Sequence, residues 1–237
     1  MTANEKFARD AVRLLRAVER RNRPPEGYLG TEKYELLGVY KKDLEHIGKE
    51  LMQNLPGDWI GALNLLRASN VFEAKTLALD IAVRKKKEFQ KNHWTNFSKW
   101  LDDCEGWAMV DGLCCDVLSL FITKWPDLID KSATWSRSKN LWKRRASIVL
   151  VVRPVRTGQF ADELFVRMSD LAGDHDPMIY KAVSWGLRSA IATQREEVES
   201  FLQDHEQVLK PAVIREVRTK LDTGRKNIVV KKTKAEN

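Results

Sequence analysis

Four segments of this 237-residue chain superpose when aligned at Phe72, Trp107, Trp142 and Met178, starts that lie 35, 35 and 36 residues apart. They read FEAKTLALDIAVR, WAMVDGLCCDVLS, WKRRASIVLVVRP and MIYKAVSWGLRSA. Each opens on a large apolar residue and continues as an Ala/Leu/Val-rich helical pattern about three turns long. Ahead of each lies a second amphipathic stretch, in order Trp59 to Leu66, Trp94 to Leu101, Leu128 to Trp135 and Phe160 to Leu171. Breakers bound these stretches at Pro56-Gly57, Pro126, Gly158, Gly173 and Pro177. One helix pair cannot bury its apolar face alone and must stack on the next, so pairs recurring at this period predict an α-solenoid of the HEAT or TPR kind.

Amphipathic patterns over Glu5 to Arg20 and Tyr34 to Leu51 precede the repeats, and others over Glu196 to Leu202 and Pro211 to Leu221 follow them. Arg20 to Gly30 reads as a loop. The expected fold is therefore all-α: a single-domain α-solenoid of HEAT-like helix pairs over residues 1–222, its concave groove lined by the second helix of each pair. In residues 223–237, Arg225, Lys226, Lys231, Lys232 and Lys234 outweigh Glu236, which predicts a basic, disordered tail.

The net charge of +8 gains meaning from its location. Between residues 131 and 161 stand Lys131, Arg137, Lys139, Lys143, Arg144, Arg145, Arg153 and Arg156, with no Asp or Glu. Lys143, Arg144 and Arg145 open one second-of-pair helix and Lys181 opens the next, so the groove is expected to be basic. A concave basic surface suits duplex DNA, and helix N-termini add main-chain N–H donors for phosphate. The ordinary alternative is a set of solvated helix faces.

No apolar run approaches the roughly 18 residues of a membrane span, and the N-terminus carries no signal-peptide core. A reducing cytoplasm is expected, and Cys104, Cys114 and Cys115, odd in number and without CxxC spacing, read as small core hydrophobes. His46, His93, His175 and His205 are scattered without ligand spacing, so neither a metal nor another cofactor is expected.

Chemistry is concentrated in Trp107-Ala108-Met109-Val110-Asp111, where an indole and a carboxylate four residues apart share one helix face. With the repeats superposed, Arg145 stands near the start of the next second-of-pair helix and Trp185 lies in the one after. Singly, each has an ordinary role: core tryptophans, a surface acid, an ion-pair arginine. Together they form a pocket for a cation, since indole faces attract positive charge and a carboxylate neutralises it. On DNA, a cationic centre arises in an alkylated purine and in a deoxyribose whose glycosidic bond is breaking. A carboxylate beside that sugar stabilises the developing charge and places a water.

These residues carry a resemblance. WAMVD with Trp107 and Asp111, NLWKRRASI with Arg145, and MIYKAVSWGLR with Trp185 and Arg188 resemble the AlkD-type DNA glycosylases of the DNA alkylation repair family. The likeness extends in spacing over roughly residues 5 to 222 and is looser around Tyr28 and Leu36 to Val39. It implies a monofunctional glycosylase that removes positively charged N3-alkyladenine and N7-alkylguanine from double-stranded DNA while the lesion stays stacked, unlike most glycosylases, which flip the base out. It implies Asp111 as the catalytic residue and Trp107, Trp185 and Arg145 as contacts to the lesion's sugar and backbone, with Lys143, Arg144, Lys181 and Arg188 as further DNA contacts. Related non-glycosylase branches lose one or more of the four principal positions, all of which are present here. A monomer acting on alkylated duplex DNA is expected, away from membranes. A non-catalytic HEAT-like binder of damaged or branched DNA is the competing reading, and Asp111 separates the two because pure binding has no use for an anion facing phosphates.

Overall fold

The structure, a computed structural model, describes residues 1–19, 22, 25 and 27–226. It is all-α: twelve α-helices and no strand are present among the described residues, where β pairing is confined to isolated bridge positions such as the parallel bridge between Glu35 and Val71. No described helix is long and apolar enough to cross a membrane. The chain divides into two compact units, Met1–Ile129 and Asp130–Asn237.

The first unit holds α1 (Ala3–Ala17), α2 (Lys41–Leu51), α3 (Trp59–Ala68), α4 (Phe72–Arg84), α5 (His93–Lys99), α6 (Trp107–Gly112) and α7 (Ser119–Lys124). Helix α1 starts from a capping box in which Thr2 and Glu5 satisfy each other's backbone amides, and it packs on α3 through Phe7, Ala11 and Leu15. Within a mostly aliphatic core stands an aromatic cluster. Phe89 stacks on Phe121 at 4.4 Å between ring centroids, and Phe97 meets Trp100 edge-on at 4.7 Å. Both Phe97 and Phe121 are fully buried. The three cysteines are buried and form no disulfide with one another, in keeping with their pattern.

Helices α4 and α6 begin at Phe72 and Trp107, where the repeat register put them. Two expectations for this unit need correction. The helix predicted over Tyr34 to Leu51 begins only at Lys41, because the buried Glu73 carboxylate accepts the backbone N–H groups of Leu37 (3.0 Å), Gly38 (2.6 Å) and Val39 (3.2 Å) and so holds that strip in a non-helical path, with Gly38 at φ 80°. The pattern starting at Trp107 was expected to make about three turns. Instead α6 runs through a π-helical segment, Leu113–Leu118, directly into α7, the wider turn absorbing an extra residue into the register.

The second unit holds α8 (Leu141–Val149), α9 (Ala161–Leu171), α10 (Pro177–Ala190), α11 (Arg195–Asp204) and α12 (Pro211–Thr223). Two caps stand immediately before the helices that carry candidate residues. Asn140 Oδ1 accepts the N–H groups of Trp142 and Lys143 at the head of α8, and Asp176 accepts that of Met178 in front of α10, which has proline at its first position. The stretch Leu128 to Trp135, expected as an α-helix, forms 3₁₀ turns instead, Pro126–Ser132 and then Trp135–Arg137. Its hydroxyls bond outward rather than along a helix: Ser132 Oγ accepts from Arg167, and Ser136 Oγ donates to Asp170. Helix α12 closes at Gly224, and Lys226 pairs with Glu216 at 3.4 Å. Of the tail predicted over 223–237, residues 227–237 lie outside the described residues.

Candidate nucleic-acid interface

The candidate residues divide between the two units: Trp107 and Asp111 in the first, and Arg145, Trp185, Lys143, Arg144, Lys181 and Arg188 in the second.

In the first unit, Trp107 and Asp111 are half-buried and stand one turn apart on α6. Trp107 is held from outside its own helix. Its indole N–H donates to Tyr28 O at 2.7 Å, and the Tyr28 ring meets it edge-on at 5.6 Å while remaining 57% exposed. Gly106, at φ 80°, lets the chain turn here, since a Cβ on it would lie 2.4 Å from Leu29 O. Tyr34 fastens the same loop to the turn before α6, donating to Asp103 O and accepting from Glu105 N, both at 2.8 Å. Burial pushes its phenol up to about 12. The family likeness is loosest around Tyr28, and the structure makes this loop the seat of Trp107.

Beneath α6, Arg67 is buried and donates to Met109 Sδ at 3.3 Å, to Trp100 O at 3.1 Å and to Asp103 Oδ1 at 3.0 Å. Lys75 is buried beside it. Burial, and then the neighbouring Arg67 charge, lower its ammonium below the usual lysine range. A depressed lysine is the type Schiff-base chemistry uses, but this amine donates to Arg67 O and to Asp103 and so works as a structural tie.

In the second unit, the acid-free run from 131 to 161 meets its acids from elsewhere in the fold. Arg137 pairs with Asp170 at 3.0 Å. Arg144, expected to bind DNA, pairs with Asp174 at 3.0 Å and also donates to Ser138 O and Lys139 O. Burial raises the Asp170 carboxyl, yet the Ser136 hydroxyl and Arg137 outweigh it and hold the group below the usual range. Arg145, expected against phosphate, is 6% exposed and donates to Met178 O at 2.5 Å, which ties α8 to the first turn of α10. We expect Arg145→Ala to cost stability as well as any DNA affinity, because it opens a cavity and leaves that carbonyl short of a donor; a melting temperature equal to wild type would remove the clamp role. Lys143 is half-buried and Lys181 is exposed.

Trp185 and Arg188 lie one turn apart on α10, and both line a cavity of about 550 Å³. Gly186 sets this helix close to its neighbours. A Cβ there would stand 2.9 Å from Met168 Sδ and 3.1 Å from Ile148 Cγ2, so the glycine side of α10 turns inward while Trp185 stays half-exposed. Arg188 is 3.8 Å from Glu216 and donates to Ser184 Oγ at 3.3 Å. Burial pulls its guanidinium below the usual value, with Glu216 pulling the other way.

The family model described as DNA alkylation repair enzyme matches residues 11–221. The chain belongs to that family. No curated protein matches it. Among solved structures it resembles a protein from Enterococcus faecalis described as a predicted DNA alkylation repair enzyme, at 18% identity and a TM-score of 0.73, covering 87% of this chain and 100% of that one. It also resembles AlkD2 from Streptococcus mutans, at 18% identity and a TM-score of 0.59, covering 93% of this chain and 97% of that one. At such identities the likeness shows the fold, and it is the all-α helical-repeat fold that the period of about 35 residues implied for this family member.

Proposed function

We propose that this member of the DNA alkylation repair enzyme family is a monofunctional glycosylase that hydrolyses the N-glycosidic bond of N3-alkyladenine and N7-alkylguanine in duplex DNA. The observation that carries the reading is a half-buried carboxylate, Asp111, one turn from a half-buried indole, Trp107, at the head of a helix, in a chain of net charge +8. An anion at that place opposes binding to phosphates, so it is there for a cation. An alkylated purine already carries positive charge and leaves without prior protonation, which makes the sugar cation the species that needs stabilising. Asp111 supplies the countercharge and orients the water; Trp107 packs against the deoxyribose, held by Tyr28. On the second unit, Trp185 offers an aromatic surface to the DNA, and Lys143, Lys181 and Arg188 contact the backbone. Arg145 takes part by fixing the start of α10. The lesion stays stacked, and the protein works as a cytoplasmic monomer without a cofactor.

The test is incubation with methylated duplex DNA and chromatography of the released bases. Free 3-methyladenine and 7-methylguanine are expected, with the strand left uncut. A protein that binds the duplex and releases neither base would be the non-catalytic binder instead.

A further inference from the structure

We propose that Arg67, a buried residue of α3, is the positioning residue that sets the Trp107–Asp111 pair from beneath α6. Helix α6 is six residues long before the π-helical segment, and Gly106 in front of it offers no side chain to cap its first amides. Its start is therefore fixed by contacts from other parts of the chain. Tyr28 O holds Trp107 from the outside, and Arg67 does the corresponding work from the buried side. Its guanidinium donates to Trp100 O at 3.1 Å, Asp103 Oδ1 at 3.0 Å, Cys104 Sγ at 3.5 Å and Met109 Sδ at 3.3 Å. All of these acceptors lie between residues 100 and 109. One planar fork thus spans the turn that leads into α6 and reaches Met109, which stands between Trp107 and Asp111 on the helix itself. Met109 is 1% exposed, so a shift of the guanidinium is passed to α6 rather than absorbed by solvent.

Stability alone does not call for an arginine here. Arg67 is 2% exposed, and its Nε has no hydrogen-bond partner among the described residues. Lys75, a second buried cation, pairs with the same carboxylate, Asp103. Burial, and then the Arg67 charge, lower the Lys75 ammonium, so the two cations repel. At such a place an apolar side chain of similar volume is often neutral or stabilising, whereas the best-attested yield of a buried ion pair is a fixed geometry. The geometry fixed here is that of the pair to which the reaction is assigned. Asp111 must face the sugar cation, and a displacement of about 1 Å can cost as much as 10²-fold in rate.

This inference rests on Trp107 and Asp111 being the reacting pair, as proposed above. Arg67→Met fills the same space, leaves Lys75 and Asp103 as a neutral pair and removes the fork. It is expected to melt at or above the wild-type temperature, to bind undamaged duplex as wild type does, and to release 7-methylguanine about 10-fold more slowly in single-turnover reactions. Arg67→Lys keeps the charge without the fork; it is expected to be slowed about 3-fold or more, and it carries the test if the methionine variant does not fold. The double variant R67M/D111N is expected to be nearly as fast as D111N alone, because a residue that acts through Asp111 then has nothing left to position. Wild-type release by the folded variant, or losses that multiply in the double variant, overturn the proposal. Fluorine NMR on protein labelled with 5-fluorotryptophan supplies a readout that needs no catalysis, with the Trp107 signal assigned from W107F. R67M is expected to shift the signal of Trp100, whose ring lies 4.9 Å from the guanidinium, and that of Trp107 with it. A Trp107 signal that stays in place overturns the positioning role whatever the enzyme does. A shifted signal in a protein that releases no methylated base would end the glycosylase reading and leave Arg67 as the residue that sets Trp107.

Discussion

Asp111→Asn is expected to lower single-turnover release of 7-methylguanine by about 10²-fold or more, the scale of a lost electrostatic stabiliser of a transition state. The change keeps the volume and hydrogen-bonding capacity of the side chain and removes its charge. It lies at a half-buried position on α6, so the fold should tolerate it. Duplex affinity should change little or tighten, because an anion facing phosphates repels them in the ground state. A purely structural ion pair predicts the reverse: a lower melting temperature with release per folded molecule nearly intact. Measuring melting, affinity and release on one preparation separates the two, and wild-type release would remove Asp111 from the mechanism.

Glu73→Ala is expected to destabilise the protein by about 3 kcal/mol, since two buried amides and a part-buried third lose their acceptor and each unsatisfied buried donor costs about 1–3 kcal/mol. For a chain of this size that is a fall in melting temperature of roughly 6–12 °C. Glu73→Gln should destabilise nearly as much, because its NH₂ turns a donor toward amides that need an acceptor; a glutamine variant with wild-type melting would show that packing, not the carboxylate, holds the strip. The damage should reach the site. The strip at 37–39 continues from Tyr34, which fastens the loop holding Trp107. Excision per folded molecule is therefore expected to fall too.

The two experiments probe parts of the molecule with different histories in the sequence. Trp107 and Asp111 could be found in the sequence because helical spacing is local: residues four apart share a face in any α-helix. The repeat register at Phe72, Trp107, Trp142 and Met178 came within one residue of the starts of α4, α6, α8 and α10 for the same reason, helped by Asn140 and Asp176 as caps. Glu73 gave no such signal. In the sequence it is one more acid in the first turn of a helix, and its role depends on amides 34 to 36 residues away.

The basic run shows the limit most clearly. Counting charge along the chain put eight cations and no acid between 131 and 161, and implied a free basic stripe. In three dimensions Arg137 and Arg144 meet Asp170 and Asp174, some 30 residues on, and Arg145 turns inward to Met178 O. The convergence of cations lies further along the chain, where Arg188, Arg195, Lys220 and Lys226 join Arg156 around one cavity. Helix pairing, the family likeness and the indole–carboxylate pair are short-range patterns, so the linear order of residues was enough to specify them. Which charges remain available for DNA, what seats Trp107 and what a buried arginine such as Arg67 holds depend on contacts between segments far apart in the chain, and those exist only once the helices have packed.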